Sequence, residues 1–286
     1  MFVKFGWSLW AIAPALVLAF HFGPGQKLLR RDLAADGLVQ AKKVESEASA
    51  LQSLAYEAQF KTLEARQLLL TDDSELNRTR LEKASQEEQA AYAIASDAWK
   101  NAADRYHEVE TLLEGSSQSR QVKWLRGRAL VRSGEVFNGI AELQSTLDEA
   151  VRDGQAESSL ALAAREELAA AHYYGARLLR EEGRSSELWR QVSETSRQQF
   201  RYLAEKTSRQ SQPQLASNLQ RNLERVLDLE QLDRFELVGR PIPKDSPRGR
   251  RPGDGEPGKR PGRGPRPDGD RPGNGASGML EIGPGW

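Results

Sequence analysis

Residues 44–69 read VESEASALQSLAYEAQFKTLEARQLL. Within them Val44, Ala48, Leu51, Ala55, Ala58, Thr62, Ala65 and Leu69 step alternately by four and three, the spacing that keeps side chains on one stripe of a helix. The stretch therefore predicts a long amphipathic helix. It ends near Thr71-Asp72-Asp73-Ser74, residues suited to a turn and to capping the next helix.

Outward from that helix, a second periodic run extends through Leu81, Ala84, Ala91, Ala95, Ala98, Ala102, Tyr106, Val109 and Leu113, and Gly115-Ser116-Ser117 stops it. Two helices of about forty residues joined by a tight turn make an antiparallel αα-hairpin. Alanine at so many stripe positions permits close approach. The same heptads also fit an intermolecular coiled coil, but a stripe poor in Leu and Ile at both seam positions makes a weak zipper, which favours an internal hairpin over residues 26–115.

Beyond it comes Val122-Lys123-Trp124-Leu125-Arg126-Gly127-Arg128-Ala129-Leu130, then Ser133-Gly134-Glu135-Val136, Gly139-Ile140, Leu143 and Leu147. This pattern resembles a tetratricopeptide repeat. The resemblance implies that Gly127 is the small residue against which the second helix packs, that Gly134 turns the chain, and that Gly139 faces back. The sequence departs from the repeat in three ways: Arg126 stands where an aliphatic residue is usual, Trp124 is one place late, and Leu130 replaces a common aromatic. A second unit runs from about Ser159 to Lys206, with Ala161, Ala164, Leu168, Ala171, Gly175 and Leu178 on one stripe, Gly183 at the turn, and Trp189, Val192, Ser196, Phe200 and Leu203 on the next. From Gly127 to Gly175 is about 48 residues, against about 34 in a regular repeat, so the hairpins are irregular. Pro213 opens a last helix striped by Leu215, Leu219, Leu223, Val226 and Leu229. The expected repeat region is 116–238. With its closing Asn222-Leu223-Glu224-Arg225-Val226-Leu227 helix, the chain is similar to small membrane proteins of this repeat class encoded beside MoxR-type AAA ATPases and von Willebrand A-domain proteins.

At the other end, Phe5 to Phe22 reads FGWSLWAIAPALVLAFHF without a formal charge. About 18 residues of helix span about 27 Å, close to the hydrocarbon thickness of a bilayer. Lys4 precedes the segment, Lys27, Arg30 and Arg31 come after it, and Trp7 and Trp10 suit the interface. Residues 1–25 are expected to be a single-pass membrane anchor. A cleaved signal is the competing reading, but Ala11, Ala13 and Ala15 lie inside the apolar run rather than after it. More cations stand after the segment than before it, which holds the rest of the chain in the cytoplasm, whereas a lone N-terminal anchor more often exports the domain attached to it; the extracytoplasmic side is the expectation.

From 239 to 286 the chain turns to Pro, Gly, Arg and Asp, a composition that buries too little apolar surface to offset the entropy of ordering, and a disordered tail is expected. Arg248, Arg250, Arg251, Lys259, Arg260, Arg263, Arg266 and Arg271 could draw this tail to a polyanion or an anionic lipid surface. No aromatic is interleaved among them, which argues against stacking on single-stranded nucleic acid. Met279 to Trp286 regains apolar residues and could dock on a partner.

Across the whole chain, 41 basic residues balance 41 acidic ones, and the absence of cysteine removes thiol catalysis, thiolate metal sites and disulfides. With three histidines, metal chemistry has few ligands to draw on. His107-Glu108 lacks the second histidine of a zinc-protease helix, His172 stands beside Tyr173 and Tyr174 on a helix flank, and no phosphate loop or nucleophile elbow occurs. Asp72-Asp73 and Glu181-Glu182 sit beside turns, and Asn77-Arg78-Thr79 matches a glycosylation acceptor inside a predicted helix.

These features predict an all-α, membrane-anchored scaffold or adaptor rather than an enzyme, without a cofactor, binding a peptide or helix of a protein partner. Stacked hairpins of this kind expose an extended concave surface. Lys123, Arg126, Tyr173 and Arg177, on the first helices of their pairs, are the candidate partner-binding residues. The other reading places the function in the basic tail, as a polyanion-binding or envelope-organising arm.

Overall fold

The computed structural model describes residues 24–209, 213–233, 236–237 and 240–248, together with Pro14, Leu18 and Phe20. Among these the protein is all-helical: α1 (Pro24–Thr71), α2 (Glu75–Leu112), α3 (Ser119–Ser133), α4 (Val136–Arg152), α5 (Ser159–Glu181), α6 (Ser186–Arg209) and α7 (Pro213–Gln231), with no strand. Each helix packs chiefly on its neighbour in the chain, and α3 also touches α5.

The 48 residues of α1 extend about 70 Å at the usual helical rise. Its buried face carries Ala34, Ala41, Ala48, Ala55 and Thr62, one residue in every seven. A seven-residue repeat keeps a narrow seam turned to one partner helix. On α2 the facing residues are Glu88, Tyr92, Ala95, Trp99, Ala102, Tyr106 and Val109. Small side chains on one helix receive large ones from the other, so the two axes stay close while the aromatics fill the seam. The expected hairpin is present, but its second stripe is centred differently. Tyr92 and Trp99 are buried, while Leu81, Ala84, Ala91 and Ala98 lie only half-buried at the edge. Ser74 has the extended backbone of an N-cap but makes no side-chain cap bond. Asn77 closes the turn instead, its amide donating to the Asp72 carbonyl at 2.9 Å and carboxylate at 3.1 Å, beside the Arg78–Asp73 pair.

Two core clusters meet along the array. One joins Ala41, Ala48, Trp99, Tyr106, Val109, Val122 and Leu125 of α1 to α3. The other joins Leu143, Leu168, Phe200, Val226 and Leu229 of α4 to α7. Trp124 packs against both, which explains the value of a large aromatic there. Between α3 and α4 the backbones approach closely at Gly127 and Gly139. A Cβ on Gly139 would lie 2.7 Å from the Gly127 carbonyl oxygen and 2.8 Å from the Val131 nitrogen. Gly134 ends α3 at φ 96°, a left-handed conformation that a side chain disfavours.

The expected anchor, residues 5–22, lies outside the described residues apart from Pro14, Leu18 and Phe20. No helix among the described residues is long and apolar enough to cross a membrane. The expected tail behaves differently at its root: residues 240–248 lie against the helical body, with Ile242, Ser246 and Pro247 buried. Its more distal part, including Met279 to Trp286, lies outside the described residues.

Candidate interaction surface

The segment 240–248, Arg-Pro-Ile-Pro-Lys-Asp-Ser-Pro-Arg, crosses from the C-terminal end of α5 past the end of α3 to the flank of the α1–α2 hairpin. Proline fixes φ and removes N–H donors, so a segment rich in it presents mostly carbonyls; this one is bent by a turn at Lys244-Asp245, where the Ser246 N–H donates to the Pro243 carbonyl at 3.0 Å. Side chains of the helical body meet those carbonyls. At the root of the segment, Arg177 of α5 is buried at 4% exposure and donates to the Leu237 and Arg240 carbonyls, each at 3.2 Å, and to that of Pro241 at 3.4 Å. Its Nε also pairs with Glu181 at 2.7 Å. Further along, the Gln52 amide of α1 donates to the Lys244 carbonyl at 2.9 Å and to the Ser246 carbonyl at 3.2 Å.

Three side chains of the segment are read as well. Ile242 enters an apolar notch made by Ala55, Tyr92 and Ala95, edged by Leu51 and Ala91. Asp245 lies 3.7 Å from Arg132, which also pairs with Glu167 at 3.3 Å and stands over the Trp99 ring. Arg248 pairs at 3.1 Å with Glu88, itself only 3% exposed, and its guanidinium stands 5.8 Å from the Tyr92 ring centroid. Burial, followed by the Glu88 charge, raises the Tyr92 phenol above its ordinary pKa, so the Tyr92 ring stays neutral. Burial first, then Asp245, likewise holds Tyr174 in its neutral form.

The candidate residues read from sequence divide into two groups. Tyr173 and Arg177 are buried in α5, and Arg177 faces the segment. Lys123 and Arg126 tie helices together. Lys123 bonds to Ser145 at 2.7 Å and Glu149 at 2.8 Å, both on α4. Arg126 lies between Glu110 of α2 and Glu142 of α4, at 3.1 and 3.2 Å, which accounts for a cation at a usually aliphatic position.

Gln52, Glu88, Tyr92 and Arg132 escape the sequence reading although each touches the segment. A signal exists for two of them. Glu88 begins the four-and-three stepping that leads to Tyr92, Ala95 and Trp99, so it is a charge on an apolar stripe and needs a partner. Gln52 likewise interrupts the seam of α1.

Elsewhere, the two acidic pairs and His107 remain at turns and helix flanks, His107 within 4.0 Å of Glu110. His172 is half-buried on α5, and burial lowers its pKa to about 4. Because the unfolded chain takes up this proton at about 6.5, the contribution to stability is intact above that pH and is lost as pH falls toward 4. Thermal melts from pH 7 to 4.5 should show a fall in Tm that His172→Gln makes shallower. Identical profiles for the two proteins would contradict this. No family model matches the chain, and no curated protein or solved structure matches it either.

Proposed function

We propose that this protein is a membrane-anchored interaction scaffold whose stacked, tetratricopeptide-like hairpins hold a short peptide segment of a protein partner. The observation that supports this most directly is the face formed by α5, the end of α3 and the α1–α2 flank. It binds a non-helical, turn-containing backbone through Gln52 and Arg177 and reads an apolar and a basic side chain beside it. Recognition of main-chain carbonyls by fixed side chains gives affinity that tolerates sequence change, while flanking pockets set specificity. The close α3–α4 packing through Gly127 and Gly139 supports the likeness to tetratricopeptide hairpins, and such arrays serve mainly in protein binding. Anchorage rests on the apolar run at 5–22.

Full-length protein captured from detergent-solubilised membranes should carry one defined protein in constant proportion. That protein should be retained when residues 249–286 are deleted. Leu16→Arg with Leu18→Arg should release the chain from the membrane fraction. Capture of nothing beyond background, loss of the partner with the tail, or a full-length chain already soluble without detergent would each overturn the reading.

A further inference from the structure

We propose that the face crossed by residues 240–248 is a peptide site, that this segment is its ligand in cis, and that a partner's proline-containing peptide with an aliphatic and a basic side chain, bent by a like turn, replaces it. The proposal rests on the scaffold reading above and specifies its surface and ligand chemistry. Residues 240–248 resemble a bound peptide more than a structural element. They form no helix and no strand, only a turn in which the Ser246 N–H donates to the Pro243 carbonyl at 3.0 Å, and Ile242 enters an apolar cluster while Pro247 is buried farther along. The principal polar contacts made by Gln52 and Arg177 fall on main-chain carbonyls, four of them in the segment and one at Leu237 just before it, and any peptide carries such carbonyls.

The basic end of the site supplies a second, independent sign. Glu88 is almost wholly withdrawn from solvent, yet its Oε2 has no donor among the described residues, and neither has Oε1 of buried Gln59 on the facing helix. A buried carboxylate oxygen without a donor is costly, and a ligand with further N–H groups would satisfy it. Arg248 occupies one oxygen of Glu88 and leaves capacity for more.

Tethering sets the balance between the two occupants. A segment held in cis by a short linker competes at an effective concentration of roughly millimolar, so a peptide in trans meets a site that is mostly filled. Its apparent affinity falls by the fraction of molecules in which the site is open. Loosening the segment without removing it should therefore expose the site.

The test uses the full chain and a fluorophore-labelled synthetic peptide of residues 240–248, monitored by anisotropy. Against the unaltered chain, the Ile242→Asp, Arg248→Ala double variant should bind the peptide at least about tenfold more tightly. Adding Glu88→Arg to that variant should abolish binding, and a peptide carrying Arg248→Glu should regain it. Equal binding by the unaltered and loosened chains, or indifference to Glu88→Arg, would overturn the proposal. So would a loosened chain that loses its helical circular dichroism, since the segment would then be part of the body rather than a ligand. A concentration-dependent dimer of the unaltered chain would assign the site to a second copy's segment and overturn it as well. Loss of the peptide effect with partner capture intact would sink this inference alone, whereas peptide binding without any captured partner would sink the scaffold reading.

Discussion

Arg177→Met is expected to lower the unfolding free energy by about 3–5 kcal/mol, the range seen when one member of a buried ionic network is removed. Methionine nearly matches the length and apolar stem of arginine but donates no hydrogen bond, so the change isolates the guanidinium. At 4% exposure, water does not reach the site to replace it. The carbonyls of Leu237, Arg240 and Pro241 would lose this donor, and Glu181 would lose its 2.7 Å partner. Urea unfolding monitored by circular dichroism measures the loss, and tryptic cleavage after Lys244 should accelerate because the segment is freed at its root. Arg201→Met serves as the reference. Arg201 pairs with Glu205 one helical turn away on an exposed face, where such pairs contribute under about 1 kcal/mol. Equal effects at the two positions would show that Arg177 does not hold the segment to the body.

Arg177 also marks the boundary of what the sequence makes legible. Helix periodicity locates α5 and α6 well: Ala161, Ala164, Leu168, Ala171, Trp189, Ser196, Phe200 and Leu203 are all buried. The long hairpin comes from the same spacing, because a stripe that repeats over about ten turns of helix must be covered by another helix, and its poverty in Leu and Ile favours the neighbour in the chain over a second copy. The placement of Tyr92 and Trp99 does not, since alanines on two adjoining stripes offer equal support and only the partner helix decides which is the seam. Residues 240–248 are the harder case. By composition they belong with the polar chain beyond them, and what is local to them is a turn, the Ser246 N–H on the Pro243 carbonyl at 3.0 Å, too little to order nine residues. Their order comes from Gln52 and Arg177, which stand 192 and 63 residues before the carbonyls of Lys244 and Arg240 that they bind, and those carbonyls carry no sequence signature. A peptide recognised by its main chain is invisible to pattern reading, whereas the charge at Glu88 on an apolar stripe is a visible anomaly. The first helices of the later hairpins are the expected binding face. Of the four candidates on them, Arg177 touches the segment, while Lys123 and Arg126 hold α3 to its neighbours.

The second large effect concerns two glycines for which substitution by alanine should have opposite signs. Gly139 and Gly175 both lie inside helices, where alanine is intrinsically favoured over glycine by about 1 kcal/mol. At Gly175 that gain should survive. A Cβ there meets ring carbons of Phe137 at 3.4 and 3.5 Å, ordinary contact distances, and Phe137 is itself half exposed and free to shift. At Gly139 the new carbon would lie 2.5 Å from Val131 Cγ2, 2.7 Å from the Gly127 carbonyl oxygen and 2.8 Å from the Val131 nitrogen. Two of those three atoms are backbone, so no rotamer change relieves them. α3 and α4 must separate, and Leu143 of α4, which packs against Gly127 of α3 at the same crossing, must lose contact with it. Overpacking of this kind costs about 1–3 kcal/mol, and the backbone obstruction places Gly139→Ala at the upper end before the propensity gain of about 1 kcal/mol offsets part of it. Gly139→Ala should therefore lose about 2 kcal/mol and melt about 4–8 °C lower, while Gly175→Ala should melt unchanged or a few degrees higher. Differential scanning calorimetry of the two variants decides it. A Gly139→Ala protein as stable as its Gly175→Ala counterpart would mean that α3 and α4 do not cross at these residues, and the stacked arrangement that aligns Arg132 and Arg177 toward one face would lose its basis.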